Sequence, residues 1–254
     1  MILILFSSLF LFGCFVGSFI LVIIDRFKTG ESFIYGRSHC PYCRHTLAWF
    51  DLIPVLSFVS LQGKCRYCHK RLSLYYPLLE ICTGLLFAMT YVVLPDKSTL
   101  NIVYSLIIVS CLIFVFFCDL KYRLIPFAVV IPLTVLVYVH ILFLTPSLFI
   151  PTLLCALVAM GFLLVLYFIK SMGFGDVVYV FFMGSLLGYP KIVVGLYIAF
   201  ILGAIVGLIY IGLKRKRLKG TTIPFGPFLV VGTYITFFFS QPILLFFSHY
   251  LPGF

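Results

Sequence analysis

The sequence predicts an all-α polytopic membrane protein: about eight transmembrane helices, with a small cytoplasmic zinc-ribbon-like loop after the first. Three observations predict it. The 254 residues are 63% hydrophobic and 10% charged, with a mean hydropathy of +1.23, against about 45–50% apolar and about 25% charged in soluble domains. Apolar runs of about 20 residues recur along the chain, the length that crosses a hydrocarbon core. Two Cys-x-x-Cys pairs stand in the one polar stretch of any size.

The first run, Ile2–Ile24, has no basic residue ahead of it. It is about twice as long as a signal-peptide core, so it reads as a retained helix. Residues 25–75 follow as a soluble loop. Seven further runs then give a membrane domain over residues 76–254: Tyr76–Leu94, Asn101–Cys118, Ile125–Leu144, Phe149–Ile169, Val177–Leu187, Ile192–Leu213 and Phe228–Tyr250. The sixth span, Val177–Leu187, is short, and Gly173, Gly175 and the Gly188-Tyr189-Pro190 turn bracket it. That is the pattern of a broken or tilted helix. No internal repeat stands out.

Charge sets the orientation. Sixteen of the 18 basic residues fall in the loops after spans one, three, five and seven, the last of these holding Lys214, Arg215, Lys216, Arg217 and Lys219. Only Lys97 and Lys191 fall on the other side. The positive-inside rule places those four loops in the cytoplasm and both termini outside. The net charge of +11 is therefore topological, and without a basic polar domain it implies no nucleic-acid partner.

Within the loop, Cys40-Pro-Tyr-Cys43 and Cys65-Arg-Tyr-Cys68 are separated by 21 residues. Paired i,i+3 thiolates on two turns suit a tetrahedral zinc ion, which would replace the core such a short segment cannot build. Disulfides are the alternative, and they fit poorly with a reducing compartment. A redox motif lacks its βαβ setting. His39, His45 and His69 flank the knuckles without being needed as ligands. Cys14, Cys82, Cys111, Cys118 and Cys155 sit in apolar runs as small hydrophobes.

Only seven residues are acidic, and two of them close apolar runs: Asp119, and Asp176 within Gly173-Phe174-Gly175-Asp176. An aspartate costs about 2.5–3.5 kcal/mol at the bilayer centre on insertion scales. The orientation puts both at the cytoplasmic face, where burial is shallower and water can enter. Two carboxylates sharing a site titrate apart, so one can activate water while the other polarises a carbonyl. Glycines beside the second would open φ values closed to other residues and let an extended substrate approach. The plainer readings are an ion pair of Asp119 with Lys121 or Arg123 and an N-cap role for Asp176. Asp25, Glu31 and Asp51 read as solvated loop charges. Glu80, opening the second span, is either paired with a basic loop residue or part of a substrate site.

An ordered series of motifs resembles the type IV prepilin peptidases, also called leader peptidase/N-methyltransferases. It runs from Gly17-Ser18-Phe19 through Arg37–Cys43, Ile53–Ser57, Gly63–Cys68 and Tyr76–Glu80. It continues with Asp119-Leu120, Leu124-Ile125-Pro126, the Gly-Phe-Gly-Asp turn and Pro224-Phe225-Gly226-Pro227. The resemblance implies an aspartic endopeptidase with Asp119 and Asp176 catalytic. Such an enzyme cuts the basic leader of prepilins or pseudopilins at the cytoplasmic membrane face, and it methylates the new N-terminus from S-adenosylmethionine. It implies zinc at Cys40, Cys43, Cys65 and Cys68, and substrate positioning near Gly173, Gly175 and Glu80. Leu21 stands where the family pattern has asparagine, and Phe27-Lys28 where it has leucine-proline. With the short chain, this is similar to the competence-type members of Gram-positive bacteria, though pilus assembly or type II secretion fits as well. A different class remains beside it, a non-enzymatic zinc-bearing membrane scaffold for pilus assembly.

Overall fold

The computed structural model describes residues 2–29, 32, 35–170, 172–214 and 224–250. Glu31 and the predicted basic cluster Arg215, Lys216, Arg217 and Lys219 lie outside the described residues. Among the described residues the chain is helical. It runs α1 (Ile2–Thr29), α2 (Leu56–Ser60), α3 (Tyr75–Val93), α4 (Thr99–Tyr122), α5 (Phe127–Leu144), α6 (Phe149–Phe168), α7 (Phe174–Leu187), α8 (Lys191–Lys214) and α9 (Gly226–Tyr250). Among the described residues extended pairing is confined to two isolated bridges, His39 with Thr46 and Lys64 with Arg71. The prediction of an all-helical membrane protein with a cysteine loop after its first helix holds.

Among the described residues six helices are long and apolar enough to cross a membrane: α1, α3, α4, α5, α6 (counted with its leading turn) and α8. The other two predicted spans correspond to α7 and the first part of α9, Gly226–Phe239, and both are shorter. Of the two expectations for the sixth run, a broken or a tilted helix, the break is absent, because Phe174–Leu187 is one continuous helix closed by Gly188 at φ 64°. Packing explains its length. Nine of its 14 residues are buried, including Val177, Tyr179, Phe182 and Met183, as expected of a helix that is apolar all round and enclosed by others.

The chain divides into two compact units, residues 1–110 and 111–254. In the first, α1 packs along α3. Small residues make the approach possible: a Cβ on Gly13 would lie 2.8 Å from the Gly84 Cα, and one on Gly84 would lie 2.7 Å from the Cys14 sulfur. Lipid tails are as apolar as the helices, so close backbone packing replaces hydrophobic burial as the attraction. In the second unit α7 packs against α5, α6, α8 and α9. Its Tyr179 hydroxyl donates to the Thr233 hydroxyl of α9 at 3.1 Å, and Thr233 donates onward to the Leu229 carbonyl.

Candidate active site and metal centre

Asp119 lies in the last turn of α4 and is buried. Asp176 lies in the first turn of α7 and is also buried. It is the third helical residue rather than the N-cap, which is Gly173; its Oδ2 accepts the Gly173 N–H at 3.1 Å. The capping role weighed from the sequence is therefore real, but exercised from three positions beyond the N-cap. It coexists with proximity to a second carboxylate, since the charge of Asp119 reaches Asp176. Ile125 stands between their surroundings. A Cβ on Gly175 would meet the Ile125 Cβ at 3.1 Å, and a Cβ on Gly226 would meet the Ile125 Cδ1 at 3.2 Å.

The glycines beside Asp176 act differently from the expectation. Gly173 has φ −80°, ψ 151°, open to any residue, and Gly175 is helical. Gly175 is small because Ile125 lies against it, with no left-handed turn required.

Gly226 is the part of this site that sequence reasoning undervalued. It is the first residue of α9, and its N–H is directed at the Asp119 carboxylate. A Cβ there would lie 2.6 Å from the Asp119 Oδ2, an oxygen without a hydrogen-bond partner. The first N–H groups of a helix lack intrahelical acceptors and carry its positive dipole end, so α9 presents Asp119 with a fixed partial positive charge. Pro227, which follows, has no N–H to leave open. The signal in the sequence was Pro224-Phe225-Gly226-Pro227, a helix-start pattern, but nothing in it says which carboxylate the turn meets.

The loop cysteines meet as expected. The four sulfurs of Cys40, Cys43, Cys65 and Cys68 all lie within 4.8 Å of one another, with Cys40 and Cys68 at 3.9 Å. A tetrahedral ion with about 2.3 Å bonds to sulfur needs edges of about 3.8 Å, so this cluster fits a metal ion. Burial raises the Cys40 thiol, but the amides of Cys43 and Tyr42 and the thiols of Cys65 and Cys43 bring it down to about 7, while the Lys70 amide lowers Cys68 and burial and the other three thiols push it up to about 11.

The two knuckles are structural copies offset by 25 residues, a repeat that the sequence alone did not disclose. Cys40 N–H to the His45 carbonyl (3.0 Å) matches Cys65 to Lys70 (2.9 Å), and Leu47 to Ser38 (2.8 Å) matches Leu72 to Gly63 (2.7 Å). Arg44 and His69 take the same left-handed φ, 56° and 54°. His45 stacks on Tyr67 across the pair, with centroids 3.7 Å apart. Asp51 is no solvated charge: it accepts from Arg66 at 2.8 Å, Tyr67 at 3.2 Å and the Ala48 N–H at 3.2 Å. Asp25 likewise accepts the Tyr76 hydroxyl at 3.2 Å. The buried Glu80 accepts the Val55 N–H at 2.8 Å, with the Ser18 hydroxyl as a further partner. Its partners are thus loop backbone and α1, where the sequence left open a basic loop residue or a substrate.

Comparison with known proteins meets this arrangement. Residues 11–94 match the Bacterial Peptidase A24 N-terminal domain, and residues 106–208 match the Type IV leader peptidase family. A prepilin leader peptidase/N-methyltransferase of Bacillus subtilis (strain 168) is 30% identical over 95% of this chain and 97% of its own. The chain belongs to the type IV leader peptidase family. A relative of the same name from Aeromonas hydrophila is 28% identical, covering 94% of this chain and 92% of that one. Another, from Myxococcus xanthus (strain DK1622), is 40% identical over 125 residues, which is 49% of this chain and 36% of that longer protein. No solved structure gives a significant match. Gly226 lies beyond the stretch matched to the leader peptidase family, so its place beside Asp119 is a finding of the fold.

Proposed function

We propose that this chain is a bifunctional prepilin leader peptidase and N-methyltransferase of the bacterial cytoplasmic membrane, with Asp119 and Asp176 as its catalytic pair. The observation that supports this reading is two buried carboxylates, one from the end of α4 and one from the start of α7, with Gly226 against Asp119 and Gly175 beside Asp176 both packed on Ile125. Such a pair holds one proton between two acids and titrates as a unit. The ionised member takes a proton from water, and the oxygen of that water attacks the scissile carbonyl carbon. The protonated member hydrogen-bonds the carbonyl oxygen as it becomes an alkoxide. Collapse of the tetrahedral intermediate breaks the C–N bond, and the proton passes to the leaving amine. The Gly173 amide, bonded to the Asp176 Oδ2 at 3.1 Å, holds that carboxylate in place through this cycle.

The distribution of basic residues along the sequence supports a cytoplasmic position for the cysteine loop and both aspartates, with the termini outside. We assign structural zinc to Cys40, Cys43, Cys65 and Cys68, four thiolates with no open coordination position. For the methylation, S-adenosylmethionine, when bound, would supply the methyl group from its sulfonium. The described residues form no sheet of the kind that carries a Gly-rich cofactor turn. The cofactor's carboxylate would be held in a cavity of about 320 Å³ lined by Arg26, Ser32, Tyr35, Gly36, Arg37 and His39, with Arg37 its basic partner because Arg26 already donates to the Ser32 and Arg37 carbonyls. Titrating purified protein with the cofactor should show binding that Arg37→Ala weakens; unchanged binding removes the cavity from consideration.

The test of the main reading is prepilin cleavage by the purified, reconstituted protein. Asp119→Asn and Asp176→Asn should each abolish it while leaving the helical circular dichroism unchanged. Full cleavage by either variant refutes the assignment.

A further inference from the structure

The loop that carries the cysteines is tied to α3 at a depth that bears on what surrounds it. α3 has 19 residues, and at about 1.5 Å per residue it is about 28 Å long, close to the hydrocarbon thickness of about 30 Å. It has no spare length with which to stand above the bilayer. Glu80 is its sixth residue, about 8 Å from its start. Helical side chains lean toward the N-terminus, so the carboxylate reaches back toward the level of Tyr75 and Tyr76, the membrane boundary. The Val55 amide is bonded to that carboxylate at 2.8 Å. Val55 itself is a β-branched residue held at φ 62°, a conformation that a surrounding structure has to impose.

The residues on either side of this anchor are apolar and outward-facing. Leu56 and Val59, one turn apart on α2, are 68% and 66% exposed, and Trp49 is 77% exposed. Trp49 and Phe50 meet edge to face in the 3-10 turn that packs against α2. In a loop surrounded by water, such exposure would place large apolar side chains in solvent beside a strained backbone.

We propose that Trp49–Ser60 is an interfacial segment, seated in the headgroup region of the lipid bilayer with Leu56, Val59 and Trp49 against the acyl chains and with Glu80 fixing its depth. Tryptophan favours this zone, where one part of its ring is apolar and the other wet. A short amphipathic element held there needs little area of its own, because the flanking membrane helices supply the anchoring. The cysteine knuckles then sit directly on the membrane surface. The inference rests on the membrane-spanning reading of α3 and is independent of any catalytic activity.

Trp49 is the only tryptophan, so its fluorescence reports the segment in the unmodified protein. The full chain is reconstituted in phosphatidylcholine/phosphatidylglycerol vesicles, with and without lipids brominated near the headgroup or near the chain end. The expected results are blue-shifted emission, iodide quenching roughly fivefold weaker than for free tryptophan, and bromine quenching strongest for the headgroup-proximal label. Moving the reporter onto α2 with Trp49→Phe and Leu56→Trp should give the same pattern. Glu80→Gln, which weakens the anchor, should reduce bromine quenching at both positions. Emission and iodide access like those of tryptophan in water would overturn the proposal. Blue emission without bromine quenching would also overturn it, since the segment would then be covered by protein instead of lipid.

Discussion

Gly226→Ala isolates the contact that most directly shapes the aspartate pair. The added methyl would lie 2.6 Å from the Asp119 Oδ2 and 3.0 Å from its Cγ, against ordinary contact near about 3.5 Å. Something has to move by roughly 0.8–0.9 Å. The backbone of Asp119 is the stiffer party, because its carbonyl accepts the Arg123 N–H at 2.8 Å in the closing turn of α4. The carboxylate therefore swings, and with it the distance to Asp176. A misplacement of about 1 Å in a catalytic group can lower a rate by about 100-fold, so kcat for prepilin cleavage should fall roughly 10- to 100-fold, about 1.4–2.7 kcal/mol. KM should change little, since the leader's remote contacts are untouched. Gly161→Ala is the matched control, because a Cβ there meets nothing within 4 Å. A structural origin is separated by melting temperature: Gly226→Ala should destabilise the wild type more than it destabilises an Asp119→Ala background, where the opposing oxygen is gone. Cleavage by Gly226→Ala equal to that of Gly161→Ala would refute the reasoning.

Elemental analysis of protein purified without chelator should find one zinc per chain, and chelation should raise amide exchange in residues 35–75 before any helix responds. Cys65→Ser should lower the metal content and give the same exchange pattern. Gly84→Leu should destabilise the α1/α3 pair by about 1–3 kcal/mol or prevent folding, since even a Cβ there meets the Phe10 carbonyl oxygen at 2.8 Å; recovery of a normally stable protein would contradict the described packing. Tyr179→Phe should cost about 0.6–1 kcal/mol, the size of an interhelical hydrogen bond in a membrane, read as a lower melting temperature. Burial raises the Asp51 carboxyl, but bonds from Arg66, the Ala48 amide and Tyr67 outweigh it and hold it below the usual carboxylate range. A lowered folded pKa contributes stability above the unfolded value, about 4, and loses it as pH falls through the folded one. Acid should therefore loosen the loop, and Asp51→Asn should flatten that dependence in amide exchange.

What could be read from the sequence was whatever local pattern determines. Run lengths gave the helices, and four thiols at i,i+3 spacing gave the cluster, because a tetrahedral site depends on little beyond ligand spacing. Two carboxylates at the ends of apolar runs were found because water-poor surroundings make acids rare. The misreadings share a cause. Gly173 and Gly175 suggested unusual φ values, but the size of Gly175 is dictated by Ile125, 50 residues earlier, which no local pattern reveals. Asp51 and Asp25 looked solvated because their partners, Arg66 and Tyr76, arrive from other turns. The 25-residue repeat was hidden because its copies share little beyond the cysteines, Tyr42 with Tyr67 and Leu47 with Leu72, while backbone bonds do the repeating.

The hardest question posed by the sequence was whether Asp176 is a cap or a catalyst, and the surroundings of the other acids supply a way to answer it. Asp51, Glu80, Asp96 and Asp176 each accept a backbone N–H, from Ala48, Val55, Ser98 and Gly173 respectively. Near a bilayer, amides left open by turns and helix starts have little water to bond, and a carboxylate is the strongest acceptor to offer them. Capping is thus what a carboxylate in this chain does by default, and a cap alone says nothing about catalysis. A second acid within reach is different in kind, because it disfavours the ionised state that capping needs. Asp176 has such a neighbour: Gly175 beside it and Gly226 against Asp119 both pack on Ile125, and Asp119 keeps one buried oxygen without a partner among the described residues. Retaining both, with Gly226 shaved to a hydrogen so that a helix start can face the open oxygen, makes sense when that oxygen has to bind water or a peptide carbonyl.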